Sequence, residues 1–136
     1  MKAGEKIVVS GKRKRCVARA IISEGTGKIL VNNVPYELLP QLRKLVIDEP
    51  LRIAKEVLGE VKYDIQVTTK GGGQESAIEA SRLAIARALF AATKSKELRK
   101  TFISYDRNLL VADTRRKETY KPGDSKARRK RQKSYR

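Results

Sequence analysis

From Asp113 to Arg136 the chain holds no Val, Ile, Leu, Met or Phe. A segment without such side chains has nothing to bury, and burial is what offsets the conformational entropy lost when a chain becomes ordered. The core must therefore come from residues 1–112, which is the size of one domain. Residues 113–136 are predicted to be an extended basic C-terminal tail, disordered when free in solution. Its charge fits that reading: residues 114–136 carry 11 basic and 2 acidic side chains, +9 of the chain's +17. With 32 Lys and Arg against 15 Asp and Glu, the excess exceeds what solubility requires and implies a polyanionic partner.

Hydrophobic periodicity organises the first 112 residues. Ile7, Val8 and Val9 read as a short strand ended by Ser10-Gly11, and a second strand runs near Cys16 to Ser23. Glu24-Gly25-Thr26-Gly27-Lys28 reads as a hairpin turn from which Ile29 to Val31 returns as a third strand. Leu38, Leu42, Leu45 and Val46 predict a short helix around Gln41 to Ile47. Asp48-Glu49-Pro50 then carries the signature of a new helix start, which would bury Leu51, Ala54, Val57 and Leu58 and stop at Gly59. Tyr63, Ile65 and Val67 alternate with polar residues in a half-buried strand.

From Gln74 to Ala92, the residues Ile78, Ile85, Leu89 and Ala92 fall on one helical stripe, with Leu83 and Phe90 on a second ridge. Alanines fill much of the remaining circumference, so this helix can be approached closely on several sides. Ser95 can cap a further helix holding Leu98 and Phe102, and Leu109-Leu110-Val111 is an apolar run compatible with strand or helix. The order predicts an α+β two-layer sandwich, with about four strands in a mainly antiparallel sheet and the helices on one face.

Several clusters suit contact with phosphate. Lys70-Gly71-Gly72-Gly73 precedes the long helix, and three glycines leave N–H groups free to point at a phosphate backbone with no side chain to hold it away. The plainer reading is a flexible loop before a core helix. Lys12-Arg13-Lys14-Arg15 sets four like charges between two strands, which repel one another unless an anion neutralises them. Arg82 and Arg87 interrupt the apolar helix roughly 140° apart, so each needs its own partner: RNA, or in the plainer reading water reached by snorkelling. In the tail, Arg115, Arg116, Lys121, Lys126, Arg128, Arg129, Lys130 and Arg131 are phosphate-contact candidates, while Tyr120 and Tyr135 suit stacking. A localisation signal or a solubilising tail is the plainer alternative there.

Other classes find less support. The chain has no histidine, no Lys-Ser/Thr after its glycines and no carboxylate pair in an apolar pattern, so an RNA-processing or phosphotransfer enzyme is disfavoured. A sequence-tolerant DNA or chromatin protein is a further alternative. Cys16 cannot form an internal disulfide; Lys14, Arg15 and Arg19 nearby would lower its pKa, but a small strand residue is the simpler role. No metal site and no cofactor is expected. No run approaches 18 apolar residues and no leader pattern is visible, so a soluble, unexported protein is expected, without a membrane partner and without homo-oligomers.

Taken together, four pieces resemble one family, the universal ribosomal protein nine of the small subunit. They are Lys70-Gly71-Gly72-Gly73; Arg82-Leu83-Ala84-Ile85-Ala86-Arg87-Ala88-Leu89; Asp113-Thr114-Arg115 with Glu118 and Lys121-Pro122-Gly123; and Lys126-Ala127-Arg128-Arg129 to Gln132-Lys133-Ser134-Tyr135-Arg136. The ending and the run Tyr105 to Asp113 look like the archaeal and eukaryotic branch. The chain departs from the family pattern at Ser76-Ala77, where Gly-Gln is usual, and at Tyr120, where a lysine is usual. The resemblance implies a globular domain of the ribosomal-protein-S-five second-domain type on small-subunit ribosomal RNA in the subunit head, among neighbouring ribosomal proteins of the cytoplasmic ribosome. It also implies a tail threading toward the P-site tRNA, with Arg136 as the tRNA contact, assisted by Lys133 and Tyr135.

Overall fold

In the computed structural model, which describes residues 6–120 together with Lys126, Ala127 and Tyr135, five strands and three helices form an α+β two-layer structure. In chain order these are β1 (Ile7–Arg13), β2 (Cys16–Glu24), β3 (Ile29–Val31), β4 (Val34–Pro35), α1 (Gln41–Leu58), β5 (Tyr63–Lys70), α2 (Gln74–Thr93) and α3 (Lys96–Tyr105). The sheet order is β1-β2-β5-β3-β4, antiparallel throughout except for the parallel pair β3–β5. Alternation decides which face is covered: Cys16, Ala18, Ala20 and Ile22 of β2 and Ile65 and Val67 of β5 are buried under the helices, and the residues between them lie on the other face.

α2 is the centre of the core. It touches β1, β2, β5 and α1, and Ile78, Ala80, Leu83, Ala84, Ile85, Ala86, Ala88, Leu89 and Ala92 along it are all buried, as the first stripe and the alanine-rich circumference predict, whereas Phe90 of the second ridge is half-buried. The alanines let neighbours come close. A Cβ on Gly11 would lie 2.3 Å from the Ala80 carbonyl oxygen and 2.8 Å from the Ala84 nitrogen. Gly11 therefore does not end β1 but sits within it, where the strand backbone rests directly on the helix. Ser95 caps α3 by accepting from the Leu98 N–H at 3.3 Å. The run at Leu109 forms a 3-10 turn over Arg107–Leu109, with Leu109 buried.

Two further expectations are corrected, and the strand count is refined. The Gly25–Gly27 turn does not return β3 onto β2. Asp64 Oδ1, at the start of β5, accepts from the N–H groups of Thr26, Gly27 and Lys28 at 2.8, 2.9 and 2.9 Å, drawing the loop onto β5. There Ile65 N donates to Lys28 O at 2.8 Å and Asn32 N to Val67 O at 2.8 Å. The sheet has five strands rather than about four, since Val34–Pro35 adds a short edge strand. Residues 41–58 form one helix, not two. Pro50 removes one intrahelical donor, but it is buried beside Ile47, Leu51, Ile53 and Ala54, and Asp48 and Glu49 face Arg52 and Arg82 instead of capping a new start. Leu38, Leu42 and Leu45 remain exposed, so the stripe that packs is the one further along the helix.

Candidate nucleic-acid interface

The basic run 12–15 is divided by strand geometry. Arg13 shares the covered face with Gly11, so its guanidinium turns inward and pairs with Glu79 of α2 and with Asp113. Lys12 lies on the opposite face and is exposed. Lys14 and Arg15 form the two-residue turn into β2, with Lys14 in a left-handed conformation at φ 50°. Both are exposed.

The beginning of the tail is fastened over this turn. Asp113 receives the Arg115 side chain at 2.7 and 2.9 Å and the Arg115 N–H at 2.8 Å, in addition to Arg13. The Arg115 guanidinium holds the Asp113 carboxyl well below the usual carboxylate range, aided by the Arg115 N–H and Arg13. Arg116 donates to the Lys14 carbonyl oxygen. Residues 112–120 form no helix or strand, and Lys117 places its ammonium 5.2 Å from the Tyr120 ring centre.

The glycine loop closes the third side. Gly71 and Gly72 have φ of 74° and 68°. A Cβ on Gly72 would lie 2.8 Å from the Cys16 Cβ, and one on Gly71 would lie 2.9 Å from the Arg15 carbonyl oxygen. These two glycines let the loop lie against the start of β2, whereas around Gly73 there is open space. Gly73 precedes α2 with no side chain capping the helix. Arg43 balances the first-turn acid, donating to Glu75 at 2.9 Å and to Gln74 at 2.7 Å. The result is a groove of about 860 Å³ lined by Arg13, Lys14, Arg15, Gly72, Gly73, Ser76, Arg115, Arg116, Lys117 and Thr119. Cations from two ends of the sequence meet an uncapped helix N-terminus, a combination that attracts phosphate.

The other sequence candidates lie elsewhere. Arg82 donates to Asp106 at 2.9 Å and pairs with Glu49 at 2.5 Å, joining α1, α2 and the end of α3; its Nε is buried without an acceptor among the described residues. Burial pushes the Asp106 carboxyl up, but the Asn108 N–H and Arg82 outweigh it and leave it below the usual range. Arg87 donates to the carbonyl oxygens of Leu110 and Ser10, at 2.8 Å each. Both arginines are engaged within the fold, so each has its own partner and the partner is protein. Lys70 is exposed on the uncovered sheet face with Lys12. Cys16 is buried in the core, and burial pushes its thiol up rather than down. Lys126 and Tyr135 are exposed. Lys121, Arg128, Arg129, Lys130, Arg131, Lys133 and Arg136 lie outside the described residues.

Sequence reasoning missed Ser76, Lys117 and Thr119 in the groove and the anchoring role of Asp113. The spacing Asp113-Thr114-Arg115 was a usable signal, since an aspartate accepting from the N–H two residues on is a familiar local turn. Glu79 gave none, because its partner Arg13 is 66 residues away.

A family model described as ribosomal protein S9/S16 matches residues 11–136. The small ribosomal subunit protein uS9 of Methanococcus vannielii is 46% identical over 129 residues, covering 93% of this chain and 95% of that protein. The uS9 of Methanococcus maripaludis strain C5 is 46% identical over the same shares. The chain belongs to the ribosomal protein S9/S16 family, whose members are structural components of the small ribosomal subunit and not enzymes.

Proposed function

We propose that this chain binds small-subunit ribosomal RNA in the subunit head through the groove between the β1–β2 turn, the glycine loop and the start of the tail, and that the tail continues toward the P-site tRNA. The observation that carries this is the convergence of Arg13, Lys14, Arg15, Arg115, Arg116 and Lys117 on one groove beside the N-terminus of α2. Glu79 and Asp113 balance Arg13 and Arg115 on one flank. Lys14, Arg15 and Lys117 have no carboxylate partner among the described residues, and phosphate relieves their repulsion.

Beyond the groove, Lys121, Lys126, Arg128, Arg129, Lys130 and Arg131 pair with phosphates along the tail, and Lys133, Tyr135 and Arg136 reach the tRNA. Ordering such a strand costs about 1–2 kcal/mol per residue, offset by charge-assisted hydrogen bonds along its length. Arginine suits these positions because its planar fork pairs two phosphate oxygens and stacks on a base. Neighbouring small-subunit proteins are further partners.

The test is reconstitution of small subunits lacking this protein. The full chain and a chain without Tyr135 and Arg136 should both sediment with the subunit, and the shortened chain should retain less P-site tRNA. Equal retention removes the tRNA contact, and failure of the full chain to sediment removes the whole reading.

A further inference from the structure

Among the described residues every helix lies on one side and the other face of the sheet is open, with its charge gathered at one end. Lys12 of β1 and Lys70 of β5 flank Val17 of β2 in a single cross-strand row. The adjacent row is Ser10, Arg19 and Thr68, and the next holds Val8, Ile21 and Gln66. Strand spacing sets the Cα atoms of Lys12 and Lys70 about 10 Å apart, with Arg19 about 7 Å along the middle strand from Val17. All three cations are exposed, and none has an ion-pair partner among the described residues. The acid facing the same side, Asp64, is three rows away, about 20 Å, and is already occupied by the N–H groups of Thr26, Gly27 and Lys28.

The paired arginines differ from this row. Arg13, Arg43, Arg82 and Arg115 each have a carboxylate close by. A triangle of unbalanced cations over a flat sheet raises the folding cost by self-repulsion, and an anion laid across it removes that cost. The surrounding groups narrow the anion's identity. Ser10 and Thr68 flank Arg19 with hydroxyls, Gln66 adds an amide, and Val8 and Val17 are half-exposed aliphatics at 58% and 42%. No aromatic side chain lies in these rows, so base stacking is not the mode of contact. Phosphates spaced along a strand fit the cations, and ribose hydroxyls and sugar faces fit the rest.

We propose that this open end of the sheet is a second RNA-binding surface, with Arg19 at its centre between Lys12 and Lys70, and that it takes the sugar-phosphate backbone of ribosomal RNA without reading its sequence. The proposal rests on the reading of the groove as an RNA site but concerns the opposite face of the sheet. The two surfaces meet at the β1–β2 turn, so RNA held in the groove is carried onto the sheet.

The test measures binding of the full chain to a transcript of the small-subunit ribosomal RNA head as a function of salt, for Arg19→Gln, Val17→Glu and the groove variant Arg116→Gln. Arg19 and Val17 are exposed strand positions, so thermal unfolding should stay near that of the parent. Arg19→Gln should lower the slope of log K against log salt by about 0.7–0.9, and Val17→Glu, which sets a negative charge in the middle of the row, should weaken binding at least about tenfold. If Arg116→Gln reduces the slope while Arg19→Gln and Val17→Glu bind like the parent, the sheet surface is refuted and the groove stands. If the parent does not bind the transcript, both readings fall.

Discussion

Replacing Gly72 and Gly73 with alanine, one at a time, separates what the glycine loop does for the fold from its proposed contact with RNA. At Gly72 the backbone is left-handed at φ 68°, which disfavours an L side chain by about 1–2 kcal/mol. The new methyl would also lie 2.8 Å from the Cys16 Cβ and 3.1 Å from its nitrogen, positions fixed by β2 rather than by a flexible side-chain end. Overpacking of this kind costs about 1–3 kcal/mol, and the stiffer unfolded chain returns about 0.4–1 kcal/mol. The net loss is roughly 1–4.5 kcal/mol, and at about 3–5 °C per kcal/mol for a chain of this size the melting temperature should fall by about 3–20 °C. Gly73 differs: its φ is −104°, its surroundings are open, and alanine there sacrifices only about 0.5 kcal/mol of N-cap preference. Gly73→Ala should melt within about 2 °C of the parent yet bind ribosomal RNA more weakly, since its methyl stands where phosphate would approach. Calorimetry and RNA titration on both variants decide the matter. An unchanged melting temperature for Gly72→Ala refutes the packing account, and unchanged RNA affinity for Gly73→Ala removes the loop from the interface.

The quadruple change Lys14→Gln, Arg15→Gln, Arg116→Gln and Lys117→Gln should flatten the salt dependence of RNA binding by about 3 in slope if each charge meets one phosphate; a change below about 1 would place those phosphates elsewhere. Gly11→Ala should destabilise the fold by about 3 kcal/mol, because the new methyl meets helix backbone at Ala80 and Ala84, and melting close to the parent would show that α2 is free to withdraw. Asp64→Ala should lower stability by about 1 kcal/mol at pH 7, by analogy with N-cap deletions. The Lys28 N–H and its neighbours hold the Asp64 carboxyl below its usual value, so its contribution is present above about pH 4 and fades as the pH falls below that. Melting curves of parent and variant should therefore converge in acid, and a gap independent of pH would contradict this.

What the sequence disclosed depended on how local the deciding interaction is. The β5-loop-α2 unit was legible because alternation in Tyr63–Val67 and the stripe through Ile78, Ile85 and Leu89 each lie within one element. The partner of β3 was not, because the glycines at 25 and 27 permit a hairpin and what overrules it is one carboxylate, Asp64, reaching back 36–38 residues. The start signature at Asp48-Glu49-Pro50 is a sound local rule overridden by burial of the segment around Pro50. For the helix arginines the need for separate partners was legible and the pairing was not: nothing in the spacing of Arg82 and Arg87 shows that Glu49, Asp106, Ser10 and Leu110 would converge on them.

The run Lys12 to Arg15 shows how one stretch of like charge serves several ends. Were the four side chains to point one way, their repulsion would oppose the hairpin that carries them. Strand alternation sends Arg13 under the sheet and Lys12 over it, and the turn turns Lys14 and Arg15 outward. Arg13 then has a role that its neighbours cannot share. By binding Asp113 as well as Glu79 it ties the first residue of the tail to both the hairpin and α2, and Arg116 adds a second tie at the Lys14 carbonyl. Two such contacts hold residues 113–116 along a groove whose remaining cations have no carboxylate partner among the described residues. The course of residues 113–116 is thus set by an internal ion pair, and the proposed contact with RNA by the charges that the ion pair leaves unbalanced.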